Sequence, residues 1–182
     1  METEIIRSCG PALAGLKTAN LFSFKFTDAG LLTEEVGRIN GHLNPRGVFV
    51  EIMLMREDSA LIYVYRKSHL ERDLSVFGVR DFLANYGYFA GETDACIMQL
   101  KERLRTSACF PHEIGLFLGY PLPDVIGFIR NRGRNCKCCG FWKVYSNEWE
   151  TRQLFEKFRK CLRVYAQVLV SERSIAQLTV VA

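Results

Sequence analysis

Two apolar runs separated by a short polar segment stand out in the first half of the chain, at 48–55 and 60–65. Both runs are rich in β-branched and aromatic residues, and the polar segment 56–59 is short enough for a hairpin connection. We therefore predict a β-hairpin here. A shorter alternation of Phe with polar residues at 22–26 fits either a further strand or the continuation of a preceding helix.

Apolar residues recur at helical spacing in several other segments. The clearest is the C-terminal one, where Phe155, Phe158, Leu162 and Tyr165 form one face behind an Asn147 capping signal. This pattern predicts a long amphipathic helix. Shorter helices are predicted at about 10–20, 30–42, 66–74, 76–86, 93–105, 111–118 and 123–131.

The order of these elements predicts an α+β fold, with a three- or four-stranded, mainly antiparallel sheet covered by several helices. The run 141–145 reads as a further strand. Because the chain has no repeat and no low-complexity linker, we expect a single domain spanning 1–182. Residues 171–182 are a candidate frayed tail, and from Ser174 onward a short strand is the alternative.

Composition narrows the class of protein. The chain has 182 residues, of which 48% are hydrophobic and 24% charged, as in ordinary soluble globular proteins. A net charge of +4 makes a nucleic-acid partner unlikely. No signal peptide and no apolar run of about 18 residues is present, which argues against secretion and a membrane span. With an odd count of seven cysteines, the expected location is cytoplasmic, with reduced thiols.

Cys9 is a candidate nucleophile, because it directly precedes the first predicted helix and the helix dipole favours a thiolate there. A papain-like hydrolase or acyl transferase would use Cys9 with His112 as base and Asp124 or Glu113 as its orienting acid. Lys17 falls roughly on the same helical face and is a candidate pocket residue. The alternative is that Cys9 is a small buried hydrophobic residue near the helix cap.

A second candidate site combines a Cys-x-x-His pair with three cysteines 24 to 27 positions after the histidine. Two-residue gaps let neighbouring side chains converge on one tetrahedral zinc ion, and an iron–sulfur cluster with Cys161 as a further ligand is a variant. Buried thiols without a metal are the alternative. The candidate metal ligands are Cys109, His112, Cys136, Cys138 and Cys139.

A third candidate site is basic. Between 130 and 143 the chain carries five cations and no acid: Arg130, Arg132, Arg134, Lys137 and Lys143. Gly and Asn in this loop suggest a backbone anion site, and arginines bind phosphate in a bidentate manner. The predicted ligand is a nucleotide, a phosphorylated small molecule or an acidic protein. A solvated loop after a helix C-terminus is the alternative.

The longest distinctive motif is FPHEIGLFLGYP at 110–121, followed by GFWKVY at 140–145. With these motifs the chain resembles an uncharacterised bacterial domain-of-unknown-function family from anaerobic, low-GC Gram-positive bacteria. The resemblance implies no established activity. It suggests flavodoxin as a partner, since members are encoded near flavodoxins, and hence a link to redox or iron-related metabolism.

Three functional hypotheses follow. The first is a metal- or redox-linked accessory protein that uses the Cys/His cluster with zinc or an iron–sulfur cluster. The second is the cysteine-dependent hydrolase or acyl transferase. The third is an interaction module whose basic loop docks an acidic partner such as flavodoxin. The sequence leaves the reaction, the substrate and the oligomeric state open.

Overall fold

The structure is a computed structural model that describes residues 1–89, 92–168 and 174–181. Its strands are β1 (Ala19–Lys25), β2 (Val48–Met55), β3 (Ser59–Arg66), β4 (Cys138–Cys139) and β5 (Lys143–Val144). Its α-helices are α1 (Glu2–Leu13), α2 (Ala29–Leu43), α3 (Lys67–Leu74), α4 (Val79–Ala84), α5 (Thr93–Thr106), α6 (Ile114–Phe117), α7 (Leu122–Arg130) and α8 (Glu148–Val168). This is the predicted mixed α+β class, with the long C-terminal helix confirmed.

The main sheet is antiparallel and has the strand order β1-β3-β2. Alternate residues of β3 face opposite sides, as strand geometry requires. Ile62 and Val64 pack against α1 and α2, whereas Tyr63 and Tyr65 pack against α3 to α7. The sheet therefore separates two hydrophobic cores, and both strands of the predicted hairpin are confirmed.

The free edge of β2 is blocked by a side chain. The Asn40 amide donates to the Val50 carbonyl and accepts from the Val50 N–H, both at 2.8 Å. A bulge between Ile52 and Leu54 interrupts the strand further along. Exposed edges invite pairing with another chain, so these two features protect the sheet from edge-to-edge association.

The first helix differs from the prediction. We expected a helix at about 10–20, but α1 covers Glu2–Leu13 and the chain enters β1 at Ala19. The helix stops early because Gly15 adopts a left-handed φ of 72° and the Arg66 guanidinium takes its terminal carbonyls. The alternation at 22–26 is thus part of a strand.

Arg66 connects three parts of the fold. It is 1% exposed, and its Nε donates to the Ala12 carbonyl at 2.6 Å. Its Nη2 donates to the carbonyls of Leu13 at 2.6 Å and Val180 at 2.7 Å. Burial lowers the pKa of Arg66, and the carbonyls at the negative end of α1 compensate its charge.

The C-terminal segment packs against α1. Residues 174–181 form turns rather than the alternative short strand, Ile175 is buried, and the Val180 N–H donates to the Leu13 carbonyl. The remainder of the candidate tail, 171–173 and 182, lies outside the described residues. These contacts hold the described part of the tail on the body of the protein.

The predicted strand at 141–145 is shorter than expected. Only Lys143 and Val144 are extended, and they pair with Cys138 and Cys139 in a separate two-stranded sheet. This hairpin packs on α8, where Phe155 contacts Trp142 with ring centroids 4.6 Å apart. Among the described residues, no helix has the length and apolarity needed to cross a membrane.

Candidate functional site

An apolar pocket of about 270 Å³ lies between α6, α7 and the β4–β5 hairpin. Every residue that lines it comes from the segment 110–143, the same stretch that contains the distinctive motifs and the basic loop. The lining residues are Phe110, His112, Ile114, Gly115, Leu118, Tyr120, Asp124, Val125, Phe128, Cys139, Trp142 and Lys143.

Aromatic rings form the walls of the pocket. Tyr120 stacks on Trp142 with ring centroids 4.7 Å apart, which builds a flat wall. At the mouth, the exposed His112 ring meets the edge of Phe128 at 5.0 Å, and Phe110 lies 6.3 Å from His112. Such walls suit a flat apolar group, because aromatic rings favour stacked and edge-on contacts.

Asp124 holds the pocket together. Its Oδ2 accepts the Trp142 Nε1–H at 2.8 Å. Its Oδ1 accepts the backbone N–H groups of Tyr145 and Ser146, at 2.8 and 2.7 Å, and the Ser146 hydroxyl at 2.8 Å. These four bonds bind the first turn of α7 to the hairpin. Because they occupy the buried carboxylate, Asp124 does not act as the expected orienting acid for His112.

Glu113 also points away from His112. Its Oε1 accepts from Arg103 Nε at 2.5 Å and from the Tyr88 hydroxyl at 3.3 Å. Burial and the neighbouring Glu113 carboxylate raise the pKa of Tyr88. Glu113 therefore belongs to a half-buried ion pair that joins α5 to α6, and its carboxylate is engaged there rather than as an orienting acid.

The expected position of Cys9 at a helix N-terminus is wrong. Since α1 begins at Glu2, Cys9 lies well inside the helix and receives little from its dipole. Its side chain is 0% exposed in the core between α1, α2 and the sheet, and burial raises the pKa of its thiol. Ile114, two residues after His112, packs in the core on the other face of the sheet. The structure does not bring Cys9 to the pocket.

Lys17 lies behind the pocket wall rather than in the pocket. It is buried, its ammonium donates to the Ala19 carbonyl, and it sits 5.5 Å from the centroid of the Tyr120 ring. Burial lowers the pKa of Lys17 from its ordinary value of 10.5 to about 8. The side chain supports Tyr120 from the back.

The cysteines proposed as metal ligands are dispersed. Cys109 is exposed in the connection between α5 and α6, Cys136 is half-buried, and Cys138 is buried in β4. Of the proposed ligands, only Cys139 and His112 line the pocket. Within 1–89, 92–168 and 174–181, no group of three or more His, Cys, Asp or Glu side chains is arranged to hold a metal ion. The ligand set predicted for zinc or an iron–sulfur cluster therefore does not fit this geometry.

The predicted backbone anion site in the basic loop is not formed. The N–H groups of Asn131, Arg132 and Gly133 donate back to carbonyls of α7, which is how a helix C-terminus is closed by a left-handed residue. Arg132 provides that residue, with a φ of 52°. The N–H groups of residues 131–133 are therefore not available to an anion.

The five cations of the loop differ in whether they form hydrogen bonds within the protein. Arg130, Arg132 and Arg134 are exposed and form no ion pair with a described carboxylate. Lys137 Nζ donates to the Ser146 carbonyl at 2.5 Å, and Lys143 Nζ donates to the Gly133 carbonyl at 2.7 Å. All five side chains therefore keep an exposed positive charge, and the three arginines have the most unengaged donors.

The basic loop adjoins the pocket at Gly133. A Cβ atom on this glycine would meet the Phe128 ring at 3.2 Å and Lys143 Nζ at 3.5 Å. Both of those residues line the pocket. The basic loop thus meets the apolar cavity at Gly133, and Lys143 places a positive charge on the rim.

A family model described as "Protein of unknown function (DUF3793)" matches residues 5–179. The chain belongs to this family. No curated protein and no solved structure matches the chain. The DUF3793 match extends beyond the pocket to nearly the whole chain, and its description assigns no activity, cofactor or partner.

The sequence pattern did not single out several positions that line the pocket of this DUF3793 protein. Tyr120, Phe128 and Trp142 form the pocket walls, although the sequence pattern predicted only two helices and a strand for this stretch. Cys139 was considered only as a metal ligand, and Asp124 only as a catalytic acid. The available signal was the concentration of aromatic residues on both sides of the basic loop.

Proposed function

We propose that this protein binds a small organic anion whose flat, apolar part enters the pocket and whose charged group lies against the basic loop. The observation that carries the proposal is the shared rim, where Phe128, Lys143 and Gly133 meet. An apolar cavity with a few charged groups at its edge is the usual form of a small-molecule site.

The cavity volume limits the size of the buried group. An engineered cavity of about 150 Å³ holds benzene, so 270 Å³ is suited to one ring or two fused rings. Asp124 lines the pocket, but its oxygens already accept four hydrogen bonds. Recognition inside the pocket therefore depends on stacking and shape, whereas charge recognition falls to Arg130, Arg132 and Arg134. A nucleotide or another phosphorylated ring compound meets both requirements.

A second candidate is the docking of an acidic protein such as flavodoxin on the same arginines. It is favoured by one observation: the three side chains are exposed and form no ion pair with a described carboxylate. A metal-linked role and a papain-like role have less support, because their side chains are spread over separate parts of the fold. A cytoplasmic, single-domain protein remains our prediction.

The test compares matched ligands by thermal shift and calorimetry. Pairs that differ only in a phosphate, such as adenosine with adenosine monophosphate and uridine with uridine monophosphate, separate ring binding from charge binding. We expect the phosphorylated member of at least one pair to bind more tightly, and its affinity to fall with rising salt.

Two variants complete the test. His112→Trp places a larger ring at the mouth and is expected to abolish binding of both members of a pair. The triple change of Arg130, Arg132 and Arg134 to Ala is expected to abolish only the preference for phosphate. The matched control is the triple change of Lys157, Lys160 and Arg163 to Ala, which removes the same charge from the exposed side of α8.

The proposal fails if no pair binds, or if His112→Trp leaves the affinity unchanged. If only an acidic protein binds, and the arginine variant alone weakens it, the docking function is correct instead. An equal loss in both triple variants would mean that the protein responds to net charge and not to this loop.

A further inference from the structure

We propose that Cys139 is a reactive thiol that undergoes thiol–disulfide exchange with an anionic organic disulfide bound in the pocket. The proposal rests on the pocket being a ligand site. It is carried by a cluster of three side chains on the pocket rim, Cys139, Lys143 and His112, all of them exposed.

Burial removes most of the other thiols from consideration. Cys9, Cys96, Cys138 and Cys161 are buried, and burial raises the pKa of each of these thiols. A thiol that stays protonated and enclosed is a poor nucleophile. The accessible cysteines are then Cys109, Cys136 and Cys139.

Of these three, only Cys139 lines the aromatic pocket. Cys109 borders two other cavities beside the connection between α5 and α6, and Cys136 is half-buried at the base of the hairpin. A disulfide whose ring occupies the pocket would therefore have its sulfur atoms close to Cys139. Proximity of this kind raises the rate of a bimolecular step.

The hairpin register places a cation beside this thiol. Cys139 lies directly opposite Lys143 in the β4–β5 ladder. Directly opposed residues have Cβ atoms about 4.5–5.5 Å apart, so both side chains project from the same face of the hairpin toward the pocket. The positive charge of Lys143 attracts an anionic reagent, and the His112 imidazole on the same rim is available to receive or return a proton.

The exchange is balanced without a further oxidant. The Cys139 thiolate attacks one sulfur of R–S–S–R, a new S–S bond joins Cys139 to R–S, and the original S–S bond breaks. The electron pair of that bond leaves on the second R–S⁻. Cys139 is oxidised to a mixed disulfide, one half of the reagent is reduced to its thiolate, and a second thiol reverses the step.

The experiment uses dithiobis(nitrobenzoate), a dianionic aromatic disulfide, and dithiodipyridine, its neutral counterpart. Stopped-flow absorbance gives the rate with each reagent on the full-length reduced protein, and peptide mass spectrometry identifies the cysteine that is modified first. We expect Cys139 to react first, and Cys139→Ser to lose the fast phase. Cys109→Ser, which removes an accessible thiol outside this pocket, should keep it.

The Lys143→Met variant tests how much of the reaction rate depends on the charge of residue 143 rather than on the shape of the pocket. It removes an attraction that corresponds to about fourfold in rate at roughly 5 Å in water. The rate with the dianionic reagent should therefore fall about fourfold or more, and the rate with the neutral reagent should fall less. His112→Trp, which narrows the mouth, should slow both reagents.

A fast phase that persists in Cys139→Ser, or first labelling at Cys109 or Cys136, overturns the proposal. Equal slowing of both reagents by Lys143→Met overturns the role of charge. Failure of this proposal can be distinguished from failure of the proposed function. If the wild-type protein binds phosphorylated ring compounds reversibly but Cys139 reacts no faster than Cys109, the pocket is a ligand site without a reactive thiol.

Discussion

Arg66 and the basic loop show two opposite uses of the same side chain. Arg66 is 1% exposed, and its guanidinium donates to three backbone carbonyls from both ends of the chain. Arg130, Arg132 and Arg134 are exposed and carry no ion pair with a described carboxylate. A side chain whose donors are occupied inside the fold contributes to stability, whereas a side chain with free donors is available to a ligand.

The thiols and carboxylates divide in the same way. Cys9 is enclosed between α1 and the sheet, whereas Cys139 lies open on the pocket rim. Asp124 and Glu113 look like catalytic acids in the sequence, but Asp124 accepts four hydrogen bonds and Glu113 pairs with Arg103. Chemical type therefore indicates function only when the structure leaves the group unengaged.

The largest effect is expected for Arg66→Met. The change removes three hydrogen bonds from a charged group, and such bonds contribute about 1.5–3 kcal/mol each. We expect the free energy of unfolding to fall by about 3–5 kcal/mol in urea denaturation. Arg130→Met is the matched control and should change it by less than about 0.5 kcal/mol. Similar losses in both variants would remove the distinction between the two kinds of arginine.

Asp124→Ala is expected to be the next most damaging. Four donors lose their acceptor, and we expect a loss of about 2–4 kcal/mol together with loss of ligand binding, because Trp142 is no longer held. Trp142 fluorescence reports this in a Trp149→Phe background, since Trp149 is exposed. Asp124→Asn keeps the shape of the side chain, so its stability should lie between those of the wild type and Asp124→Ala. Normal binding in Asp124→Ala would show that the pocket wall does not depend on this carboxylate.

The buried Lys17 is expected to make the stability of the folded protein depend on pH. Its pKa is about 8 in the folded state and near its ordinary value of 10.5 in the unfolded chain, so between these values the unfolded state binds more protons. Stability must then rise with pH across this window, and the full cost of burying the charge is present below it. We expect Lys17→Met to stabilise the protein by roughly 1–2 kcal/mol at about pH 6.5.

The measurement is urea denaturation of both proteins at about pH 6.5 and at about pH 9.5. The advantage of the Met variant should shrink at the higher pH, because wild-type Lys17 is then largely neutral when folded. If the stability difference between wild type and Lys17→Met is the same at both pH values, Lys17 keeps its charge in the core.

The smallest effect is expected for Asn40→Ala. The variant frees the N–H and the carbonyl of Val50 on the edge of β2, and we expect a loss of about 1 kcal/mol. Size-exclusion chromatography across a concentration series should show more self-association than in the wild type. Asn20→Ala, an amide on the other edge strand, is the control. Unchanged behaviour of Asn40→Ala would show that the bulge alone protects the edge.

The regular elements were predictable because their patterns are long. The β2–β3 hairpin consists of two apolar runs around a polar turn, and α8 repeats an apolar period over several turns; both were confirmed. By contrast, β4 has only two residues, which is too short for any period. Its formation depends on the partner strand and on the anchoring of Ser146 by Asp124.

The candidate site was harder to predict, because burial is set by distant contacts. Whether Cys9 is a nucleophile depends on where α1 begins, and the end of that helix depends on Arg66, 54 residues from Ala12. No local pattern contains this information. The segment 110–143 was identifiable as unusual, but which of its polar groups remain free follows only from the packed structure.

The hydrogen bonds of Asp124 also bear on the order of folding. Asp124 and Ser146 are 22 residues apart, whereas Arg66 and Val180 are 114 residues apart. Closing a longer loop costs more chain entropy, and contacts at short sequence separation form faster. The pocket is therefore expected to assemble as a local unit during folding, before the C-terminal segment reaches α1.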